Sequence, residues 1–180
     1  TNVLVVTDKA LKELGLAEQA LQGLSEAGVS LHWYAGVEPD PTFTHVMEGA
    51  QILRATGCTA IVAVGGGSSM DAAKIIACTR SSDASPDQWV GLNKVPDDIL
   101  PVYAIPTTSG TGSEATMGAV IKDPVERVKM IIAADGLLPQ AVALDPELLL
   151  GMPPAVTAAT GIDALTHGIE AYICVWDRGT

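Results

Sequence analysis

Ala60-Ile61-Val62-Ala63-Val64-Gly65-Gly66-Gly67-Ser68-Ser69-Met70-Asp71-Ala72-Ala73-Lys74 passes from an unbroken apolar run into three glycines and then into helical spacing. A short run of β-branched and small apolar residues reads as a strand buried on both faces, the kind found in parallel sheets. A helix over about 68–79 follows it. Glycine lets a backbone approach a ligand closely, the first amides of a helix lack internal partners, and the helix dipole favours an anion there. In open α/β sheets ligands gather at the carboxyl ends of strands, where this loop lies. A phosphate or pyrophosphate is the natural guest. A local reading stands beside it: Ser68 and Asp71 have the S-x-x-D spacing of a capping box, and three glycines make a tight turn. The stretch is not G-x-G-x-x-G, since Met70 holds the last glycine position, nor is it a P-loop, since no Gly-Lys-Ser/Thr follows.

Working outward, strands alternate with helices. Strands are expected over 3–7, 29–34, 60–64, 102–105 and 141–144, with a hairpin over 116–121 and 128–132 around Asp123-Pro124. A helix is expected over 9–27, broken near Gly15 and stopped by Gly28, and another from a Thr42 cap to about 56, ended by Gly57. Residues 81–98 read as a polar surface excursion, and Asp145-Pro146 opens a short helix. This alternation predicts an α/β fold: a mainly parallel, Rossmann-like sheet with helices on both faces. After Pro153 the pattern turns purely helical. We therefore expect a dinucleotide-binding α/β domain over 1–152 and the beginning of a helical metal-binding domain over 153–180.

The chain has 180 residues and 48% hydrophobic residues, which suits a packed core rather than disorder. Its net charge of −11 argues against a nucleic-acid or anionic-membrane surface, though backbone amides can still hold a phosphate locally. The three cysteines, Cys58, Cys78 and Cys174, lack C-x-x-C spacing and fit thiols in a reducing, cytoplasmic compartment. No run approaches the ~20 apolar residues of a membrane span. No signal peptide is visible, and a start at Thr1 without Met suggests a processed or truncated chain.

Further residues carry chemical promise. Asp163 and His167 stand four apart, which on a helix places a carboxylate and an imidazole on one face, where they can share a divalent metal ion. Asp8 ends the first strand; it can accept both ribose hydroxyls of an adenosine and repel a 2′-phosphate, or it can cap the helix that follows. The 107–113 segment, Thr-Thr-Ser-Gly-Thr-Gly-Ser, offers hydroxyls and amides at another strand end, or is a polar turn. Lys129 reads as the solvent-facing member of an apolar strand. His32 and His45 read as ordinary strand and helix residues. Glu114 is either a surface carboxylate or part of the pocket.

Taken together, these segments resemble the iron-containing (group III) alcohol dehydrogenase family. Gly65–Lys74 resembles its G-G-G-S-x-x-D-x-x-K motif, and Ile105 to Glu114 its second loop. Gly151-Met152-Pro153-Pro154, followed by Ala159-Thr160-Gly161-Ile162-Asp163-Ala164-Leu165-Thr166-His167, resembles the start of its metal domain. Gly36-Val37-Glu38-Pro39-Asp40-Pro41-Thr42 resembles its G-V-x-P-N-P-T loop, with Asp40 where Asn is usual, and Thr7-Asp8-Lys9 its ribose-binding turn.

The resemblance implies a cofactor and a metal in a cleft between two domains. Gly66, Gly67 and Ser68 would hold the pyrophosphate of NAD. Thr107, Thr108 and Thr111 would line the rest of the dinucleotide site, with Asp40 beside it. Lys129 would reach the nicotinamide ribose, and Asp8 would favour NAD over NADP. Asp163 and His167 would ligate Fe2+, sometimes replaced by Zn2+, with the other ligands being histidines beyond Thr180. The family's opening strands would precede Thr1. The implied reaction is hydride transfer between an alcohol, or the matching aldehyde or ketone, and NAD, with the metal polarising the substrate oxygen. No side chain stands out as a general base. The full-length protein would be a homo-oligomer, and this chain alone would be inactive. Two other readings compete: an NAD- and metal-dependent lyase of the dehydroquinate synthase type, and a non-catalytic nucleotide-binding fragment.

Overall fold

The computed structural model describes residues 1–82 and 84–175. In chain order its regular elements are β1 (Asn2–Asp8), α1 (Lys9–Glu13), α2 (Leu16–Ala20), α3 (Gln22–Glu26), β2 (Ser30–Val37), α4 (Phe43–Thr56), β3 (Ala60–Gly65) and α5 (Gly67–Cys78). These are followed by β4 (Gly91–Leu92), β5 (Val102–Pro106), β6 (Gly118–Lys122), β7 (Lys129–Ala133), β8 (Ala141–Val142) and α6 (Pro154–Ile173).

Five strands form one parallel sheet in the order β2-β1-β3-β5-β8. Strand order reverses between β1 and β3, so Asp8 and the glycines after Val64 flank the switch point, the usual ligand crevice of such sheets. Side chains alternate across the sheet. Leu4, Val6, Ile61 and Ala63 enter a core shared with α4 and α5, while Val3, Val5, Val62 and Val64 meet Ala17 and Leu21 on the opposite face. Helices therefore cover both faces, as the alternation predicts. The hairpin β6–β7 is antiparallel in the register Gly118↔Ala133 to Lys122↔Lys129, and with β4 it makes a second, three-stranded sheet.

Helix α5 lies between β3 of the first sheet and β6 of the second. Every residue from Ser69 to Cys78 is buried. Helix α4 starts at an extended Thr42 and stops at Gly57, whose φ of 61° is one that glycine adopts without a Cβ penalty. The Thr42 cap is reciprocal, because the Nδ1 of His45 accepts from the Thr42 amide at 3.1 Å. His45 is thus a capping residue.

Three local expectations change. The 9–27 helix is three short helices: Gly15 at φ 72° breaks it, and a second break falls at Leu21. Its apolar spacing is only partly used, since Ala17 and Leu21 are buried but Leu14 is exposed. The 81–98 segment is more than a surface excursion, because Trp89 is 4% exposed and joins the core while Gly91–Leu92 pairs with β7. The last expected strand of the sheet is only the two residues of β8. Residues 176–180 of the expected helical domain lie outside the described residues, as does residue 83. Among the described residues no helix is long and apolar enough to cross a membrane.

Candidate functional site

The glycine turn is held by what surrounds it. Gly66 occupies the N-cap of α5 in extended backbone, so Ser68 lies inside the helix and neither it nor Asp71 is the cap. The capping-box reading is therefore replaced. Asp71 Oδ2 accepts from the Val120 amide at 2.9 Å, across to β6. Lys74 is 0% exposed, and its Nζ donates to the carbonyls of Thr116 at 2.8 Å and Gly118 at 2.7 Å. Burial pushes the Asp71 carboxyl above its ordinary range, against the pull of the Val120 amide and the Lys74 charge. Burial also brings Lys74 down to about 8, opposed by the charges of Asp71 and Glu114. The two side chains bolt α5 to the strand that follows the second loop.

That loop closes over the glycines. The Thr107 amide donates to the Gly65 carbonyl at 2.9 Å. A Cβ on Gly66 would stand 3.2 Å from the Thr108 side chain, and one on Gly67 would stand 2.8 Å from Thr111 Cγ2. Gly65 has φ 154°, and a Cβ there would meet Ser69 Oγ at 2.5 Å. Sequence reasoning assigned these glycines to ligand approach; the structure adds that Gly66 and Gly67 make room for the threonines. The spacing of the two motifs could not reveal this, because they interlock only through the β3–β5 pairing. Thr108 Oγ1 and Thr7 Oγ1 are buried without a hydrogen-bond partner among the described residues. A buried hydroxyl without a partner costs stability, so one beside the glycine turn suits an added acceptor such as a phosphate oxygen.

The structure places the other site residues as follows. Asp8 ends β1, and its Oδ1 accepts from the Leu11 amide at 2.9 Å, so the capping role is observed. Asp40 meets Lys129 at 2.7 Å and Lys122 at 3.7 Å. The Lys129 hydrogen bond, foremost among the causes, lowers the Asp40 pKa. Asp40 has φ 55°, a left-handed conformation that Asp and Asn tolerate better than other side chains. The Lys122 amide ties this loop to the hairpin through the Pro41 carbonyl at 2.7 Å. Lys129 thus has a carboxylate partner that its place in an apolar strand does not suggest.

On α6, Asp163 Oδ1 and His167 Nε2 are 3.7 Å apart, both partly open to solvent. They share a face and can approach one ion together. Among the described residues no group of three or more His, Cys, Asp or Glu could hold a metal, and His32 and His45 stand elsewhere. A cleft of about 410 Å³ opens between the second loop and α6, lined by Thr108, Ser109, Glu114, Asp145, Leu149 and Ala164 among others. Glu114 is therefore a cleft residue.

A parallel sheet with a glycine turn at its switch point, interlocked with the threonine loop of the next strand, defines the Rossmann-like α/β class. The chain belongs to the iron-containing alcohol dehydrogenase family, whose model matches residues 1–146. It is 41% identical over 170 residues to the NAD-dependent methanol dehydrogenase of Bacillus methanolicus, covering 94% of this chain and 45% of that protein. A crystal structure of a 1,3-propanediol oxidoreductase superposes with a TM-score of 0.91 at 40% identity, over 96% of this chain and 45% of that one. The sulfoacetaldehyde reductase of Bifidobacterium kashiwanohense, solved in complex with NAD+, gives a TM-score of 0.86 at 38% identity, over 95% of this chain and 45% of that one. The chain spans about half the length of the relatives it matches.

Proposed function

We propose that this chain forms the dinucleotide-binding half, and the opening of the metal-binding half, of an NAD-dependent alcohol oxidoreductase. The observation that carries the reading is the interlock of the 65–67 turn with Thr107, Thr108 and Thr111, which leaves the buried Thr108 hydroxyl at the start of α5 without a hydrogen-bond partner among the described residues. Gly67 and Ser68 open the first turn of α5, whose amides lack intrahelical partners, so a pyrophosphate there gains from both hydrogen bonds and the helix dipole. Thr107, Thr108 and Thr111 line the same crevice. Asp8 keeps a carboxylate oxygen for ribose hydroxyls, which disfavours a 2′-phosphate and so favours NAD. Lys129 reaches the nicotinamide ribose, with Asp40 holding its ammonium in place.

Asp163 and His167 are two ligands for Fe2+, with Zn2+ as the alternative. Their carboxylate and imidazole donors suit either ion. When bound, the metal supplies a Lewis acid for the substrate oxygen and NAD supplies the hydride acceptor. For this the His167 nitrogen facing the ion must be unprotonated, and Asp163 must be ionised. The substrate class is a small alcohol or its aldehyde. We take 1–152 and 153–180 as the two domains, the protein as cytoplasmic, the whole enzyme as a homo-oligomer, and neither nucleic acid nor membrane as a partner.

The lyase reading has less support, since the named relatives are dehydrogenases and reductases. Among the described residues no group of three or more His, Cys, Asp or Glu could hold a metal, which favours cofactor binding without turnover for this chain by itself. Calorimetric titration of NAD, NADP and Zn2+ into the chain tests the assignment. NAD should bind more tightly than NADP, the gap should shrink in Asp8→Ala, and Zn2+ should bind weakly and lose binding in His167→Ala. Equal affinity for the two dinucleotides, or zinc binding indifferent to His167, would count against it.

A further inference from the structure

Helix α6 has no fully buried residue, yet two of its residues are less exposed than the rest. Among its described positions, Thr160 and Asp163 alone are half-buried. They are three apart and share a face. Thr160 comes up against the second loop, at Gly110. A Cβ built on Gly110 would stand 2.4 Å from the Thr160 carbonyl oxygen and 2.9 Å from its Cα. The obstacle is helix backbone, which no rotamer change can move aside. Gly110 has no positive φ, so its lack of a side chain answers the close approach rather than a backbone conformation. Gly161 and Gly168 of α6 differ, since a Cβ on either meets nothing within 4 Å.

We propose that Gly110 is a positioning residue, the seat on which the backbone of α6 rests, and that this contact sets where Asp163 and His167 stand relative to the cofactor loop. The claim rests on the functional reading above and extends it to a residue that has no side chain to offer cofactor or metal. The chemistry needs the metal pair and the nicotinamide across one cleft, and a 1 Å misplacement is enough to impair such a reaction. Carbon and oxygen pack at about 3.5 Å, so any side chain at 110 pushes the helix back by about 1 Å or more. The displacement falls one turn before Asp163. The same cleft is walled by Ser109 on one side and Ala164 on the other, so seat and cleft belong to one surface.

Two readouts test this on the whole chain. In amide hydrogen exchange, the 157–165 segment of the parent should be better protected than 168–173 of the same helix. Gly110→Ala should speed exchange of 157–165 by about tenfold while leaving 69–78 of α5 unchanged. Gly161→Ala, a substitution of the same kind with open space around it, should not speed it. Equal protection along α6 in the parent would overturn the proposal without any variant. So would unchanged 157–165 exchange in Gly110→Ala, or acceleration that spreads equally to α5.

The second readout is geometric. Mn2+ added to the NAD-bound chain should broaden the nicotinamide proton signals by paramagnetic relaxation. At equal metal and NAD occupancy Gly110→Ala should weaken this at least twofold, and equal broadening would overturn the proposal. A parent that binds no NAD would sink the functional reading instead, leaving exchange to decide the seat.

Discussion

Helices α5 and α6 are both apolar, yet the chain treats them in opposite ways. In α5 every residue from Ser69 to Cys78 is buried, and even its one lysine is fully enclosed. In α6 no residue is buried, and Ile162, Leu165, Ile169 and Tyr172 are all more than half exposed. The difference lies in what surrounds each helix. α5 has a sheet on one side, the hairpin on another and α4 on a third, so its charged groups find long-range partners. α6 comes up against the second loop at Gly110, and none of its own residues is buried. The glycine turn thus sits on a rigid frame, whereas the acid–imidazole pair sits on a helix with no buried residue.

The largest effect expected is at the enclosed lysine. Lys74→Met leaves two carbonyls without their donor and Asp71 buried without its cation, a change worth about 3–5 kcal/mol. Urea denaturation of parent and variant measures it, and a loss below about 1 kcal/mol would mean that the pair is not a bolt. The same pair makes a pH prediction. The folded chain holds Lys74 at about 8, below its ordinary 10.5, so between those values the unfolded chain carries the extra proton. Raising the pH through that window therefore stabilises the parent. The stability gap between parent and Lys74→Met should widen from about pH 8 to pH 10.

A second test probes packing. A Cβ on Gly49 of α4 would lie 2.4 Å from Ile76 Cδ1. Gly49→Ala should cost about 1–3 kcal/mol by overpacking. Ile76→Val removes that methyl, so the double variant should lose less than the sum of the two single variants. Strict additivity would show that the two helices are not in contact there.

These partners also show where sequence reading stops. The Ala60–Lys74 stretch was legible because its signals are local: an apolar strand, then glycines, then helical spacing. The hairpin, the Thr42 cap and the Gly57 stop were legible for the same reason. The one-face geometry of Asp163 and His167 follows from helix periodicity alone, and the structure places them together. Asp71 and Lys74 were legible as members of a motif but not in what they do, since their partners lie more than forty residues away. Lys129 hid its ion pair with Asp40 in the same way. The break of the 9–27 segment at Leu21 had no local signal, because Leu21 is a good helix former turned into the core at the junction. Trp89 sat in a polar context that concealed its burial.

On α6 the expected effects are small for stability and large for binding. Asp163→Ala and His167→Ala should each change the unfolding free energy by no more than about 0.5 kcal/mol, since both side chains are partly open and their contact is a surface one. Either should weaken Zn2+ binding measured by calorimetry. A matching loss of stability would show that the pair serves the fold. Gly161→Ala should instead stabilise the helix locally by about 0.5–1 kcal/mol, read as a slight gain of helix content in circular dichroism.

The central claim is that the turn at 65–67 and the threonine loop together grip a dinucleotide. Calorimetric titration of NAD into the parent and into Gly67→Ala tests it most directly, because a Cβ there would stand 2.8 Å from Thr111 and force the two loops apart. The account predicts one NAD per chain for the parent and affinity at least tenfold weaker for the variant, with α5 intact by circular dichroism. Equal affinity in the two chains would contradict it.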